Sequence, residues 1–174
     1  MGSARKGKVS ESARSLAEKG ASLQKQGTDV MSPQQRYRAM RSNRGRTRPE
    51  KALASLLWRE GFRFLTADGY RGKYGKRLLG QPDLIFTRKK IIVFVDGCFW
   101  HGCRRCHDFE KDCDRFWQDK IQVNVERDRR ITSTLRGNGW TVMRVWEHDL
   151  RRKGDLKKTA SRLSRRLQRL KRKA

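Results

Sequence analysis

The sequence predicts an α/β fold in which a mixed β-sheet is flanked by helices. Three observations carry that expectation. Pro82-Asp83-Leu84-Ile85-Phe86 and Ile91-Ile92-Val93-Phe94-Val95 are short runs apolar on both faces, the pattern of buried strands in a covered sheet. Residues 114–136 repeat large apolar side chains at helical spacing, namely Trp117, Ile121, Val125, Ile131 and Leu135. Residues 140–146 then alternate like a further strand, and the resulting order α-β-β-β-α-β-α describes a sheet with helices packed on it.

The elements follow in chain order. Residues 1–31 are rich in Gly, Ser, Lys and Ala and read as a basic, disordered arm with some helix over 10–26; Met31 offers an alternative start. A short helix is expected from Ser32, with Pro33 at its first position. Thr47 and Glu50 have capping-box spacing ahead of Leu53, Leu56 and Leu57, so a helix should start there and end near Gly61. Residues 62–66 read as a strand, and the glycine-rich, basic stretch 67–81 as a mobile loop. Thr87-Arg88-Lys89-Lys90 joins the two apolar runs into a hairpin. Asn138-Gly139 stops the long helix. From Asp155 onward Leu156, Leu163, Leu167 and Leu170 form one stripe of a very basic helix. The expected organisation is an arm (1–31), a core (32–150) and a basic C-terminal helix (151–174).

Charge narrows the partners. The chain of 174 residues has 44 Lys+Arg against 18 Asp+Glu, a net +26. Such self-repulsion disfavours a compact state unless a polyanion relieves it, which points to nucleic acid. A membrane surface fits less well, because no basic amphipathic stretch carries a bulky aromatic face. No apolar run reaches bilayer length and no secretory signal opens the chain, so a cytoplasmic, DNA-associated protein is expected.

The candidate chemistry lies in the centre. If the hairpin pairs across 87–90, Asp83 and Asp96 converge at its open end and need a cation between them; Mg²⁺ suits carboxylate oxygens. Both could equally be ordinary strand-end acids. On the long helix Asn124 and Asp128 fall within about 20° of Trp117 on the wheel, a polar pair in an apolar stripe that must find partners. Those partners are either a buried network or catalytic groups. Glu50 is a cap residue by its spacing, with a second reading as an acid near the metal. Cys98, Cys103, Cys106 and Cys113 cluster with His107 close by and His148 after the last strand. Cys98, Cys103, Cys106 and His148 form the expected tetrahedral Zn²⁺ set, with His107 as competitor and Cys113 as a spare thiol. Such a closed set makes the zinc structural. Phe99, Trp100 and Trp117 are either local packing or aromatics that wedge between bases.

Taken together, Gln81-Pro82-Asp83, the run from Val93 through Asp96-Gly97-Cys98-Phe99-Trp100-His101-Gly102-Cys103, Phe116-Trp117, Asn124-Val125-Glu126-Arg127-Asp128-Arg129-Arg130 and Val145-Trp146-Glu147-His148 resemble the very-short-patch repair endonucleases over residues 32–150. The resemblance implies a restriction-endonuclease-like core, a structural zinc, and Mg²⁺-dependent nicking of one DNA strand beside a T:G mismatch. It implies Asp83 as principal metal ligand, His101 as catalytic histidine, Asp128 as supporting acid, and Glu50 as an acid of the first core helix. Phe99, Trp100 and Trp117 match its intercalating wedge, and the N-terminal region an arm that clasps DNA.

Departures from the pattern matter too. Nucleases of the wider fold usually place a lysine two residues after the second-strand acid, where this chain has Cys98, so His101 becomes the general-base candidate. Asp96 stands where some members have histidine. The 67–80 loop and both basic extensions are longer than the family leads one to expect, and could broaden the substrate range. A monomeric nicking enzyme is the favoured reading. A double-strand-cutting restriction or homing-type nuclease, or an inactive zinc-stabilised DNA-binding module, are its rivals.

Overall fold

The computed structural model describes residues 47–169 together with Ser32, Gln34, Gln35 and Arg38. The expected arm 1–31, Pro33 and Leu170 lie outside the described residues. At Ser32 the backbone N–H donates to Gln35 Oε1 (2.7 Å) while Gln35 N–H donates to Ser32 Oγ (3.2 Å), and Gln34, Gln35 and Arg38 are helical. This reciprocal cap satisfies two amides that a helix start leaves without partners.

Helix α1 (Arg48–Arg59) begins at the Thr47 box, whose N–H donates to Glu50 Oε2 at 3.1 Å. Its face of Leu53, Ala54 and Leu57 is buried. The expected strand at 62–66 is reduced to a single antiparallel bridge between Leu65 and Ile85. Residues 67–81 correct the sequence reading further, because helix α2 (Ala67–Tyr74) occupies half of the anticipated loop. Thr66 Oγ1 accepts from Gly69 N–H at its start, Gly75 closes it in the left-handed region (φ 65°), and Tyr70 packs on Tyr74 and Trp140. Caps and aromatic contacts there outweigh the low helix propensity of glycine.

The hairpin forms as expected, with a shorter first strand and a second extended by one residue: β1 (Leu84–Phe86) pairs antiparallel with β2 (Ile91–Asp96). A 3₁₀ turn (Thr87–Lys89) links them, and Lys90 takes the left-handed position (φ 48°). Two short helices were not anticipated, α3 (Phe109–Asp112) and α5 (His148–Arg151). Between them run α4 (Arg115–Gly137), capped by Asp114, and β3 (Thr141–Trp146). Helix α6 (Lys153–Arg169) starts slightly earlier than its leucine stripe indicated.

Strand order is β1-β2-β3, with β3 parallel to β2, so the sheet is mixed. Both faces of β2 are covered, which explains its unbroken apolar run. Ile91 and Val93 face a core built with Leu53, Leu57, Leu163 and Leu167 from α1 and α6, while Ile92 and Phe94 meet Leu135 and Val142 on the α4 side. Among the described residues, no helix is long and apolar enough to cross a membrane.

Candidate functional site

Strand register builds the first half of the site. Asp96 of β2 pairs with Trp146 of parallel β3, so the chains leave the sheet side by side, and two residues later Cys98 meets His148. The tight loop that follows returns Cys103 and Cys106 to the same point: Cys103 N–H donates to Cys98 O and Cys106 N–H to Cys103 O. The ligand atoms of Cys98, Cys103, Cys106 and His148 lie within 4.8 Å of one another. His148 Nδ1 stands 3.3, 3.6 and 3.2 Å from the three sulfurs. A tetrahedral zinc with the usual bond lengths places sulfur and nitrogen ligands about 3.6 Å apart, so this set can hold the ion.

Chemistry agrees with geometry. Burial pushes the Cys98 thiol from its ordinary 9.0 up to about 12, aided by the neighbouring thiols, and burial also raises Cys106. Thiols packed this way resist ionising unless a cation joins them. His148 Nε2 lies 3.4 Å from Asp149 Oδ1, the outer carboxylate that orients a metal-bound imidazole. His107, the competing ligand, is not in the cluster; its ring packs 5.5 Å from Phe99 and Phe109.

The second half lies on the α4 side of β2. A cavity of about 490 Å³ is lined by Asp83, Asp96, His101, Arg127, Asp128 and Arg144 among others. Gly80 (φ 76°) and Gln81 (φ 52°) turn the chain into it; a Cβ at Gly80 would stand 2.7 Å from Ile131 Cγ2, so glycine is needed there. Asp83 is fixed by Val95 N–H, which donates to its Oδ2 at 2.7 Å. His101 Nδ1 stands 2.5 Å from Asp128 Oδ2 and 3.8 Å from Asp96 Oδ1. A carboxylate only accepts, so a proton belongs on Nδ1; in the neutral ring that tautomer puts the lone pair on Nε2.

Arg144 is the residue that sequence reading missed. Its Nε and Nη2 donate to the two oxygens of Asp96 at 2.6 and 2.7 Å, and Nη2 also lies 3.1 Å from Asp128. Burial alone would lower this guanidinium, but Asp96 and Asp128 raise it above its ordinary value, which keeps the cation fixed. Asp96 thus has a cationic partner within the protein, the Arg144 guanidinium. An arginine inside the otherwise apolar run Val142-Met143-Arg144-Val145-Trp146 was the available signal.

The remaining candidates divide. Glu50 completes the α1 cap and does not line the cavity. Asn124 donates from Nδ2 to Trp100 O (3.1 Å), so the polar pair on α4 has partners: Asn124 holds the aromatic loop and Asp128 holds His101. Phe99, Trp100 and Trp117 form one cluster with ring centroids 4.9–5.9 Å apart. Trp117 is its buried base at 4% exposure, whereas Phe116, 5.2 Å from it, is 66% exposed.

Comparison with known proteins identifies the family. The family model described as DNA mismatch endonuclease Vsr matches residues 28–111. Type II nicking enzyme V.NaeI of Lentzea aerocolonigenes is 40% identical over 115 residues, 66% of this chain and 68% of that protein. Type II nicking enzyme V.XorIIP of Xanthomonas oryzae pv. oryzae is 40% identical over 126 residues, 71% of this chain and 87% of that protein. DNA mismatch endonuclease Vsr of Escherichia coli (strain K12) is 42% identical over 104 residues, 59% of this chain and 62% of that protein. On these relatives and the family model together, the chain belongs to the Vsr family of DNA mismatch endonucleases.

Proposed function

We propose that this member of the Vsr family is a DNA endonuclease that nicks one strand beside a T:G mismatch, as a monomer and with Mg²⁺. The observation that carries the reading is the His101–Asp128 pair, held at 2.5 Å in a cavity that also contains Asp83 and Arg127. Asp128 keeps the proton on Nδ1 and the ring in place, so Nε2 can take a proton from an attacking water or hold it in line with the phosphate. Arg127, whose side chain is 54% exposed, offers a guanidinium to the phosphate backbone.

Asp83 suits a hard divalent cation: it lines the cavity with a carboxylate whose Oδ2 is fixed by the Val95 N–H. Mg²⁺ there would polarise the scissile phosphate and acidify a bound water. A metal at Asp96 would require Arg144 to release one of its oxygens. The Cys₃His cluster supports a structural zinc, since four protein ligands leave no open position. That ion would clamp both ends of the 98–106 loop and so set the height of Phe99, Trp100 and His101. Phe99 and Trp100, with Trp117 beneath them, are suited to stacking where a mispair has weakened the duplex. The net charge of +26 supports duplex binding that weakens with salt.

The test is cleavage of a labelled duplex with one T:G mispair beside its fully paired control, with and without Mg²⁺, by the wild type, Asp83→Ala and His101→Ala. A Mg²⁺-dependent nick in one strand of the mispaired duplex, absent in Asp83→Ala, supports the proposal. Cutting of both strands of paired DNA would assign a restriction-type activity instead. Tight, salt-sensitive binding without cleavage would leave a zinc-stabilised binding module.

A further inference from the structure

A second concave surface runs along the outer edge of the sheet and shares only Arg144 with the lining of the His101–Asp128 cavity. β3 ends the strand order, and its residues 141–145 form one wall of a groove of about 620 Å³. The other wall is α6, with Arg162, Arg165, Arg166 and Arg169. Their spacing places these four side chains on one helix face, and all are exposed. Among the described residues none of them is held in an ion pair.

The floor has a definite hydrogen-bonding character. Thr141 N–H donates to Lys90 O and Glu147 N–H to Asp96 O, so the odd-numbered residues of β3 face β2. Orientation alternates along a strand, hence Val142 and Arg144 turn both N–H and C=O towards the groove. Among the described residues no strand pairs with that edge.

We infer that this groove binds an extended, acidic polypeptide segment of a partner protein, which adds as a strand to β3 and sets its carboxylates on the α6 arginines. Nucleic acid fits the floor poorly, because phosphates only accept hydrogen bonds and would face the Val142 and Arg144 carbonyls. A second copy of the chain is disfavoured by the +26 that each copy carries. An acidic strand satisfies both demands. Arg162 and Arg166 are separated by about 6 Å along the helix, close to the about 6.8 Å between alternate side chains of a strand. The same arginines repel basic strands and leave their own charge unanswered by neutral ones, so the edge is guarded against indiscriminate pairing.

The experiment uses the full zinc-loaded chain and a fluorescein-labelled peptide of alternating Glu and Val, read by fluorescence anisotropy. Its controls are the same peptide N-methylated at alternate residues, a paired DNA duplex, and the variant Arg162→Gln/Arg166→Gln. Both changed positions are exposed, and an unaltered thermal midpoint verifies folding. The expected result is saturable peptide binding, weakened about tenfold by the double substitution and at least as much by N-methylation. Slowed hydrogen exchange at the Val142 and Arg144 amides and unchanged duplex nicking complete the expectation. Absence of peptide binding overturns the inference. Equal affinity for the N-methylated peptide would overturn it too, by reducing the contact to charge alone. A double variant that loses duplex binding as much as peptide binding would assign the groove to DNA.

Discussion

Replacing Arg144 with Met removes the guanidinium but keeps an unbranched chain of similar length against Phe94, over whose ring Arg144 Cζ now sits at 5.0 Å. The Asp96 side chain, 4% exposed, then loses both charge-assisted hydrogen bonds, at 2.6 and 2.7 Å, and stays buried as an uncompensated acid. Breaking a buried pair from one side costs about 3–5 kcal/mol, a large share of the about 5–15 kcal/mol that stabilises a typical domain. That loss corresponds to a fall of roughly 150- to 4,000-fold in the folded-to-unfolded ratio. Urea unfolding of the zinc-loaded protein, followed by tryptophan fluorescence, measures it. Adding Asp96→Asn to Arg144→Met removes the stranded charge, so the double variant should be markedly more stable than the sum of the single changes. A cost for Arg144→Met below about 1 kcal/mol, with additive behaviour in the double variant, would refute the reasoning. Asp96 would then be solvated enough to turn towards a metal.

Three further outcomes are expected. The metal-free protein should lose stability as pH rises from 9.0 towards about 12, because the folded state holds the Cys98 proton more tightly than the unfolded chain does. Below 9.0 that contribution is complete; zinc, which needs deprotonated thiols, reverses the trend, and melting curves with and without a chelator check both signs. Gly102→Ala should cost about 1–2 kcal/mol from its left-handed backbone alone, and more because the new Cβ would stand 2.7 Å from Val125 Cγ2 at φ 72°; an unchanged unfolding midpoint would contradict this. Phe116→Ala should leave stability within about 0.5 kcal/mol. If the exposed ring reaches the duplex, the same change weakens binding of a mismatched oligonucleotide about 5- to 150-fold, and equal affinity of variant and wild type would exclude that contact.

Local patterns made much of this protein legible. The apolar runs at 82–86 and 91–95 identified a hairpin because β2 is covered on both faces, and burial on both faces leaves no room for alternation. Cysteine spacing pointed to the three thiols that the 98–106 loop gathers beside His148, a set that could hold a metal ion. The helical phase of α4 placed Asn124 and Asp128 together before their partners were known. By contrast, the strand expected at 62–66 shrank to one bridge, and the glycines at 67–81 concealed a helix held by Thr66, Gly75 and two tyrosines. Those outcomes depend on caps and on what packs nearby, which composition does not record.

By itself the sequence determined the central hairpin, the capped first helix, the long helix and the last strand, together with the basic character and the reactive residue types, because periodicity, charge and chelating spacing are local properties. Only the tertiary structure decided who meets whom. The parallel register of β2 and β3 brought His148 to Cys98 across fifty positions of chain. Arg144 reached Asp96 and Asp128 from the neighbouring strand and gave Asp96 a cationic partner that no local pattern announced. Long-range pairings of this kind follow from how strands align and faces pack, and a buried charge is satisfied by whichever partner that packing delivers.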